Sequence, residues 1–492
     1  MQLLAVPFYI NGLGAEAFGL VMFVVSLQAV LAVLDMGMST TVNREVSRYG
    51  TSDRKEGDDW EIRALIRSLE LVYLGMSATI VLTFLMVGRW ISAWWLKSEH
   101  LDPQTLTQAV ILSGVMIALR LPGSLYTGVI RGQERQVSLN LITCAFALMK
   151  TAASVFIIFQ VTANIVVFCA VQLVFVGLET AFLAGYAWRL FGGFLLQPMR
   201  IGMRSLRSIK KYAIGIGWIT AFAMVIKQVD RIVVSKMETM EMLGYYSTAT
   251  LVGMTAVRLV QPLQSAIFPR FSGLAAEGDI VTLSSLFHKS AAMSVFAGAP
   301  IACLLVFFSP DILWLWTRSP GLVENGWPVL SITGAAVLFN LAMSVPFALQ
   351  LAVGLTWLPL RMNGIGAALM IPVTVVTVSR YGISGAALGW LMFNIAYYLV
   401  LPNVLFRHVL VGERWRWVFR DTLPFMTAGV LSFGLADYAT FQNIEASPRY
   451  GAAMAGCAAY ACVSLAWSSD LRALIGNLGI LRGSKRAVSH VP

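Results

Sequence analysis

The chain has 492 residues, 58% of them hydrophobic and only 12% charged, with a mean hydropathy of +0.73 and a formal net charge of +11. That balance excludes a water-soluble globular chain. It also excludes a nucleic-acid reader, because the surplus Lys and Arg collect in alternate loops between apolar stretches, where they report membrane topology.

A hydrocarbon core of ~30 Å takes about 20 apolar residues per helix. By that measure Met1 to Ile10 makes half a crossing; with no basic n-region or cleavage pattern it reads as the end of a first span, in a chain that begins late. Complete spans are expected near 16–35, 68–87, 107–130, 139–159, 165–187 and 212–230. They continue near 243–267, 287–308, 328–354, 363–379, 384–405, 423–441 and 451–467.

The loop after the second span carries Arg44, Arg48, Arg54, Lys55 and Arg63. The next loop on that side carries Arg131 and Arg135, and the segment 188–211 adds Arg189, Arg200, Arg204, Arg207, Lys210 and Lys211. Loops on this side total about 24 cations against about 7 on the other, which places both termini in the cytoplasm. The opposite loops are short, and Trp90, Trp94, Trp95, Trp314 and Trp316 read as interfacial anchors in the two longest.

The expected fold is an all-α polytopic membrane protein of about 14 transmembrane helices. Residues 1–187 form an N-terminal lobe with its first helix cut short, 188–211 a basic cytoplasmic connector, and 212–405 a C-terminal lobe. A peripheral helix pair at 406–467 and a cytoplasmic tail at 468–492 follow. The two six-helix lobes echo each other: Glu16, Phe18, Gly19 and Leu20 match Glu241, Leu243, Gly244 and Tyr245, and Gly132 to Asn140 matches Gly354 to Asn363. An even number of crossings separates the matched segments, which makes the repeat a parallel one with a shared cleft.

Four cations, Arg120, Lys150, Lys227 and Arg258, fall inside apolar spans. Counted at 1.5 Å per residue, each sits roughly 13 to 23 Å above the inner edge, near the midplane. A charge there costs about 2.5–3.5 kcal/mol on insertion scales, so a wet cavity that receives an anionic group is the functional reading. The competing reading is internal neutralisation by Asp230, one turn after Lys227, and by Glu179. Lys227 with Asp230 could instead switch partners when a proton or sodium ion binds. Gln28, Gln172, Gln264, Asn340 and Asn394 lie at similar depth, either as helix glue or as partners of sugar hydroxyls. Asp35 with Gly37 reads as a cap or a gate contact, and Pro122 with Gly123 as a hinge or a static kink.

No nucleotide-binding GxxxxGK[ST], no HExxH and no nucleophile elbow occurs, so no enzymatic activity is expected and no cofactor beyond a coupling proton or sodium ion. The five cysteines, Cys144, Cys169, Cys303, Cys457 and Cys462, stand singly and read as small core residues, leaving no metal site.

Pro7 to Gly19, Asp35 with Gly37, Asn43, Arg44 and Glu45, the run from Gln228 to Tyr246, and Phe268 to Asp279 resemble polysaccharide-export flippases. These belong to the multidrug/oligosaccharidyl-lipid/polysaccharide superfamily and include the Wzx-type O-antigen flippases. The resemblance implies a bacterial inner-membrane transporter that flips undecaprenyl-diphosphate-linked oligosaccharide by alternating access. It also implies cavity cations on the diphosphate, with Arg120, Lys150, Lys227 and Arg258 as candidates, and Asp230, Glu179 and Asp35 as candidates for ion coupling or charge pairing. The implied partners are the lipid-linked oligosaccharide, membrane lipids and the polysaccharide polymerase and export machinery, with no nucleic acid. Two other readings stay open: a multidrug or cation extruder of the same fold, and a membrane glycosyltransferase, polymerase or ligase.

Overall fold

The computed structural model describes residues 2–35, 37–51, 58–191, 222, 224–355, 357–442 and 449–467. Most of the connector expected at 188–211, the start of the span expected at 212–230, and the tail 468–492 lie outside the described residues. Within lipid, backbone polar groups must be satisfied inside each segment, which leaves helices or closed barrels. Ten of the described helices are long and apolar enough to cross a membrane, and the strand-like pairing among the described residues is one isolated bridge, Lys97 to Thr239.

The chain forms two compact units, one of Met1–Ser247 with Ala367–Ile383, the other of Thr248–Gly366 with Ser384–Pro492. The first unit begins with α1 (Gln2–Leu13) and α2 (Ala15–Leu31), the latter closed by a 3-10 turn at Ala32–Asp35. Next come α3 (Met38–Thr51), α4 (Asp58–Trp90), α5 (Pro103–Gly132), α6 (Gln136–Gln160), α7 (Ile165–Leu190) and α8 (224–237). Helix starts follow local chemistry. Asp102 accepts from Gln104 N at 3.0 Å and Thr105 N at 3.3 Å ahead of Pro103, and Asn164 accepts from Val166 N at 2.8 Å.

The α3 helix is a departure from the sequence reading, which left 36–67 as a loop. It forms because Val42 and Val46, one turn apart, are fully buried against α5. Small residues let the two backbones approach: a Cβ on Gly128 would lie 2.4 Å from Ser39 O, and one on Gly132 would lie 2.8 Å from Asn43 O. Ser47 Oγ closes the seam by donating to Gly132 O at 3.2 Å. Ser124, Gly128 and Gly132 on α5 thus repeat every four residues, as do Ser39, Asn43 and Ser47 on α3.

A second close crossing joins α2 to the start of α9 (Met240–Gly253), whose residues up to Ser247 belong to the first unit. A Cβ on Gly19 would lie 1.7 Å from Met240 O, and one on Gly244 would lie 2.6 Å from Ala15 O. Each partner is displaced from its mate by the same number of residues, so the contact is reciprocal. That is the signature of a local two-fold relation.

In the second unit α10 (Thr255–Glu277), α11 (Ile280–Phe307), α12 (Ser309–Thr317) and α13 (Pro320–Ala352) surround a core containing Phe271, Phe287 and Val337. The apolar run 357–408, α14, which contributes Ala367–Ile383 to the first unit and the remainder to the second, is two helices broken where Gly382 adopts φ 58°. A short turn, α15 (Arg414–Arg416), leads through a π-helical turn at Trp417–Thr422 to α16 (Leu423–Gln442) and α17 (Tyr450–Trp467). This final pair packs on α11: Tyr460 Oη donates to Phe296 O at 3.0 Å, while His288 contacts Asp421 through Nδ1 and lies 3.2 Å from Glu413 through Nε2. Burial pushes the Asp421 carboxyl up from its ordinary range, and its contact with His288 opposes that shift.

Gly128 and Gly75 make a matched pair of tests. Gly75 lies in α4 with nothing within 4 Å of the position a Cβ would take. Gly75→Ala should raise the thermal stability of the purified protein by about 0.5–1 kcal/mol. Gly128→Ala should lower it by about 1–3 kcal/mol through overpacking, and equal melting temperatures for the two variants would contradict the seam.

Candidate functional site

Arg120 lies on α5, and a count of eleven residues along the same helix returns to nearly the same face at Arg131, about 16 Å away. Between them Ser124 and Thr127 continue the stripe, which borders a cavity of about 320 Å³ inside the first unit. Its other walls come from Ser39, Thr40 and Asn43 of α3, Thr143 of α6, and Glu179 and Thr180 of α7. The α3–α5 seam therefore does more than bury valines: it brings three polar residues of α3 to the cavity.

Three further interactions hold this wall. Glu70 on α4 accepts from Tyr126 Oη of α5 at 2.8 Å, from Trp188 Nε1 of α7 at 2.7 Å and from Arg67 Nη1 at 2.9 Å. The Arg67 guanidinium also stacks 4.1 Å over the Trp188 ring. Asp35 accepts from Tyr73 Oη, from Ser124 Oγ at 3.0 Å and from Ser39 Oγ at 2.7 Å, and it caps α3 through Ser39 N at 3.4 Å. Lastly, the Gln28 carbonyl oxygen, with the amide turned toward the guanidinium, accepts from Arg120 Nε at 2.8 Å and Nη1 at 2.6 Å.

The sequence-derived candidates are distributed as follows. Arg120 is exposed on the cavity wall, and Lys150 on α6 is half-buried within electrostatic range of both Arg120 and Glu179. Lys227 is exposed on α8; Arg258 is exposed in the first turn of α10, after a break at Met254. None of these four forms an ion pair with a carboxylate among the described residues. Asp230 accepts from Tyr246 Oη, while Asp35 binds hydroxyls as described above. Lys227 belongs to the first unit and Arg258 to the second.

Among the depth-matched amides, Gln172 donates to Ser154 Oγ at 3.0 Å and Asn340 donates to Asn394 Oδ1 at 3.1 Å. Both join neighbouring helices. Gln28 behaves differently because it holds a cavity cation. The cavity's Arg131 and Asn43, like its Ser and Thr residues, are not among the sequence-derived candidates. The first was assigned to a loop and the second served only as part of a motif. The eleven-residue interval from Arg120 to Arg131 was the available signal.

The fold defines a multi-pass helical membrane protein with a cavity inside its first unit. It is similar to an inward-facing multidrug resistance MATE family transporter of the MOP superfamily (TM-score 0.69, 12% identity, covering 82% of this chain and 93% of that one). A lipid II flippase, MurJ, in an inward closed conformation aligns over 94% of this chain and 99% of its own length, with TM-score 0.65 and 13% identity. A protein of Shigella flexneri described as "Putative O-antigen transporter" is 20% identical over 395 residues, 79% of this chain and 90% of that protein. Residues 1–275 match the family described as polysaccharide biosynthesis protein. The chain belongs to that family.

Water access to Arg120 is directly measurable. In a background from which the exposed Cys144 and Cys462 and the other cysteines have been removed, Arg120→Cys should react with a membrane-impermeant thiol reagent. Ser113→Cys, two turns away on the same helix and buried, should not react. Equal protection of both would mean a dry site.

Proposed function

We propose that this protein flips a lipid-linked oligosaccharide across the bacterial inner membrane by alternating access, with both termini in the cytoplasm. The diphosphate of the carrier engages Arg120, with Lys150 adding positive potential, while the polyprenyl chain stays in lipid. The single observation that carries this reading is the state of Arg120. It lines a cavity inside a membrane unit, is held by a neutral amide and forms no ion pair with a carboxylate among the described residues. A guanidinium so placed keeps its charge available and matches phosphate oxygens in bidentate fashion. The family and the similarity to a relative described as an O-antigen transporter support this substrate class.

Lys227 and Arg258 are assigned to the same anionic path, each as a separate contact. Asp35, Asp230 and Glu179 are the candidates for coupling to a proton or sodium gradient, with no other cofactor. The polysaccharide polymerase and export machinery are the proposed partners downstream, and the protein itself performs no bond chemistry. A cation extruder is the weaker reading, because Arg120 and Arg131 on one cavity wall would repel its substrate.

Translocation of lipid-linked oligosaccharide in proteoliposomes tests the proposal. Arg120→Ala should cut the rate by about 10-fold or more, as expected for loss of a charge-assisted hydrogen bond. Lys150→Ala should have a smaller effect in the same direction. Unchanged rates for both variants at equal incorporation would overturn the proposal.

A further inference from the structure

The hydroxyl groups around the cavity have an unusual common property. A hydroxyl carries one proton and two acceptor lone pairs, so once its proton is committed it can only accept. Ser39 Oγ donates to Asp35 at 2.7 Å, and Thr40 Oγ1 donates to Gly37 O at 2.7 Å. Ser124 Oγ donates to Leu121 O at 2.8 Å or Asp35 at 3.0 Å, and Thr127 Oγ1 to Gly123 O at 2.8 Å. Thr143 Oγ1 donates to Leu139 O at 3.0 Å, and Thr180 Oγ1 crosses to Leu119 O at 3.0 Å. All six residues line the cavity. Glu179 adds a further acceptor, and the donors on the wall are Arg120, Arg131 and Asn43.

Such a wall discriminates between ligand groups. A phosphate oxygen is itself an acceptor, so it gains a hydroxyl proton only if that hydroxyl gives up its present acceptor, whereas Arg120, Arg131 and Asn43 can donate to it directly. A sugar ring presents several O–H donors and finds a partner for each. The stretch between Arg120 and Arg131, about 16 Å along α5, is much longer than a diphosphate. A cavity of about 320 Å³ is at the small end of ligand sites, with room for one sugar ring and its phosphate rather than a whole oligosaccharide.

From this we infer that the cavity in the first unit is a subsite for the sugar next to the phosphate: the ring's hydroxyls donate to the Ser and Thr wall while the phosphate rests on Arg120. This deepens the proposed function and rests on its placement of the phosphate at Arg120. The inference adds that the subsite reads hydroxyl donors on the proximal sugar, which makes it selective for sugar phosphates over bare diphosphate.

The test is calorimetric titration of the full chain in nanodiscs with glucose 1-phosphate, galactose 1-phosphate and N-acetylglucosamine 1-phosphate, with inorganic pyrophosphate as the comparison. At least one sugar phosphate should bind more tightly than pyrophosphate. Its deoxyfluoro analogues, which keep an acceptor and lose the donor at one position, should bind about 5-fold or more weakly, the loss of one neutral hydrogen bond. The double variant Thr127→Val and Thr180→Val keeps the side-chain shape. It should weaken sugar phosphate binding by about 10-fold or more and leave pyrophosphate unchanged.

Fluorinated analogues that bind as well as their parents, no sugar phosphate exceeding pyrophosphate, or a Val variant that binds sugar phosphate normally would each overturn the inference. Failure of the flippase reading looks different. In that case Arg120→Ala leaves translocation intact in proteoliposomes, whereas the preference for hydroxylated over fluorinated sugar phosphates persists in the titration.

Discussion

The close approach of α3 to α5 is the constraint on which the cavity depends. Inside a bilayer, apolar side chains gain little by leaving lipid for one another, so helices associate through short contacts between small residues and through hydrogen bonds. Gly128 and Gly132 provide the contact, and Ser47 supplies the bond to Gly132 O. A side chain at either glycine would push α3 outward and carry Ser39, Thr40 and Asn43 with it. The cavity would then lose a wall while α5 itself stayed intact.

Two treatments of arginine in one unit show how charge is used. Arg67 is neutralised: it donates to Glu70 at 2.9 Å and lies over Trp188, in a node that ties α4, α5 and α7 together. Arg67 is part-buried, so removing Glu70 would leave its charge poorly solvated and would cost the Tyr126 and Trp188 donors their acceptor. Arg120 is restrained and left charged, because Gln28 fixes the guanidinium through two of its N–H groups without cancelling its field. The first arrangement ties helices together; the second leaves a cation on the cavity wall.

Most of the span pattern was legible in the sequence, because twenty-residue apolar runs have few alternatives in lipid. Gly19 and Gly244, which the sequence pairs as echoes of one another, lie at one close helix crossing in the structure. The α3 helix was not legible, since its polar composition and the cations Arg44 and Arg48 gave the pattern of a solvated loop. Its apolar stripe is only two valines wide, and small-residue packing leaves no hydrophobic period to read. The cavity was half legible for the same reason. Arg120 stood out as a charge in an apolar run, whereas Arg131 at the end of α5 was indistinguishable from a topological cation.

A transporter must release what it binds, and the neutral anchor of Arg120 bears on that requirement. Were a carboxylate in the place of Gln28, an incoming anion would have to displace it, and the departing anion would be driven off by its return. With an amide in that position the guanidinium keeps the same geometry empty or occupied, so little reorganisation accompanies binding. The affinity is then limited by the cavity's wetness and by the three guanidinium N–H groups that Gln28 does not occupy. Acceptor hydroxyls beside the cation keep it modest for a bare anion. In this arrangement release needs no competing charge, only a change in the water and contacts around a fixed cation.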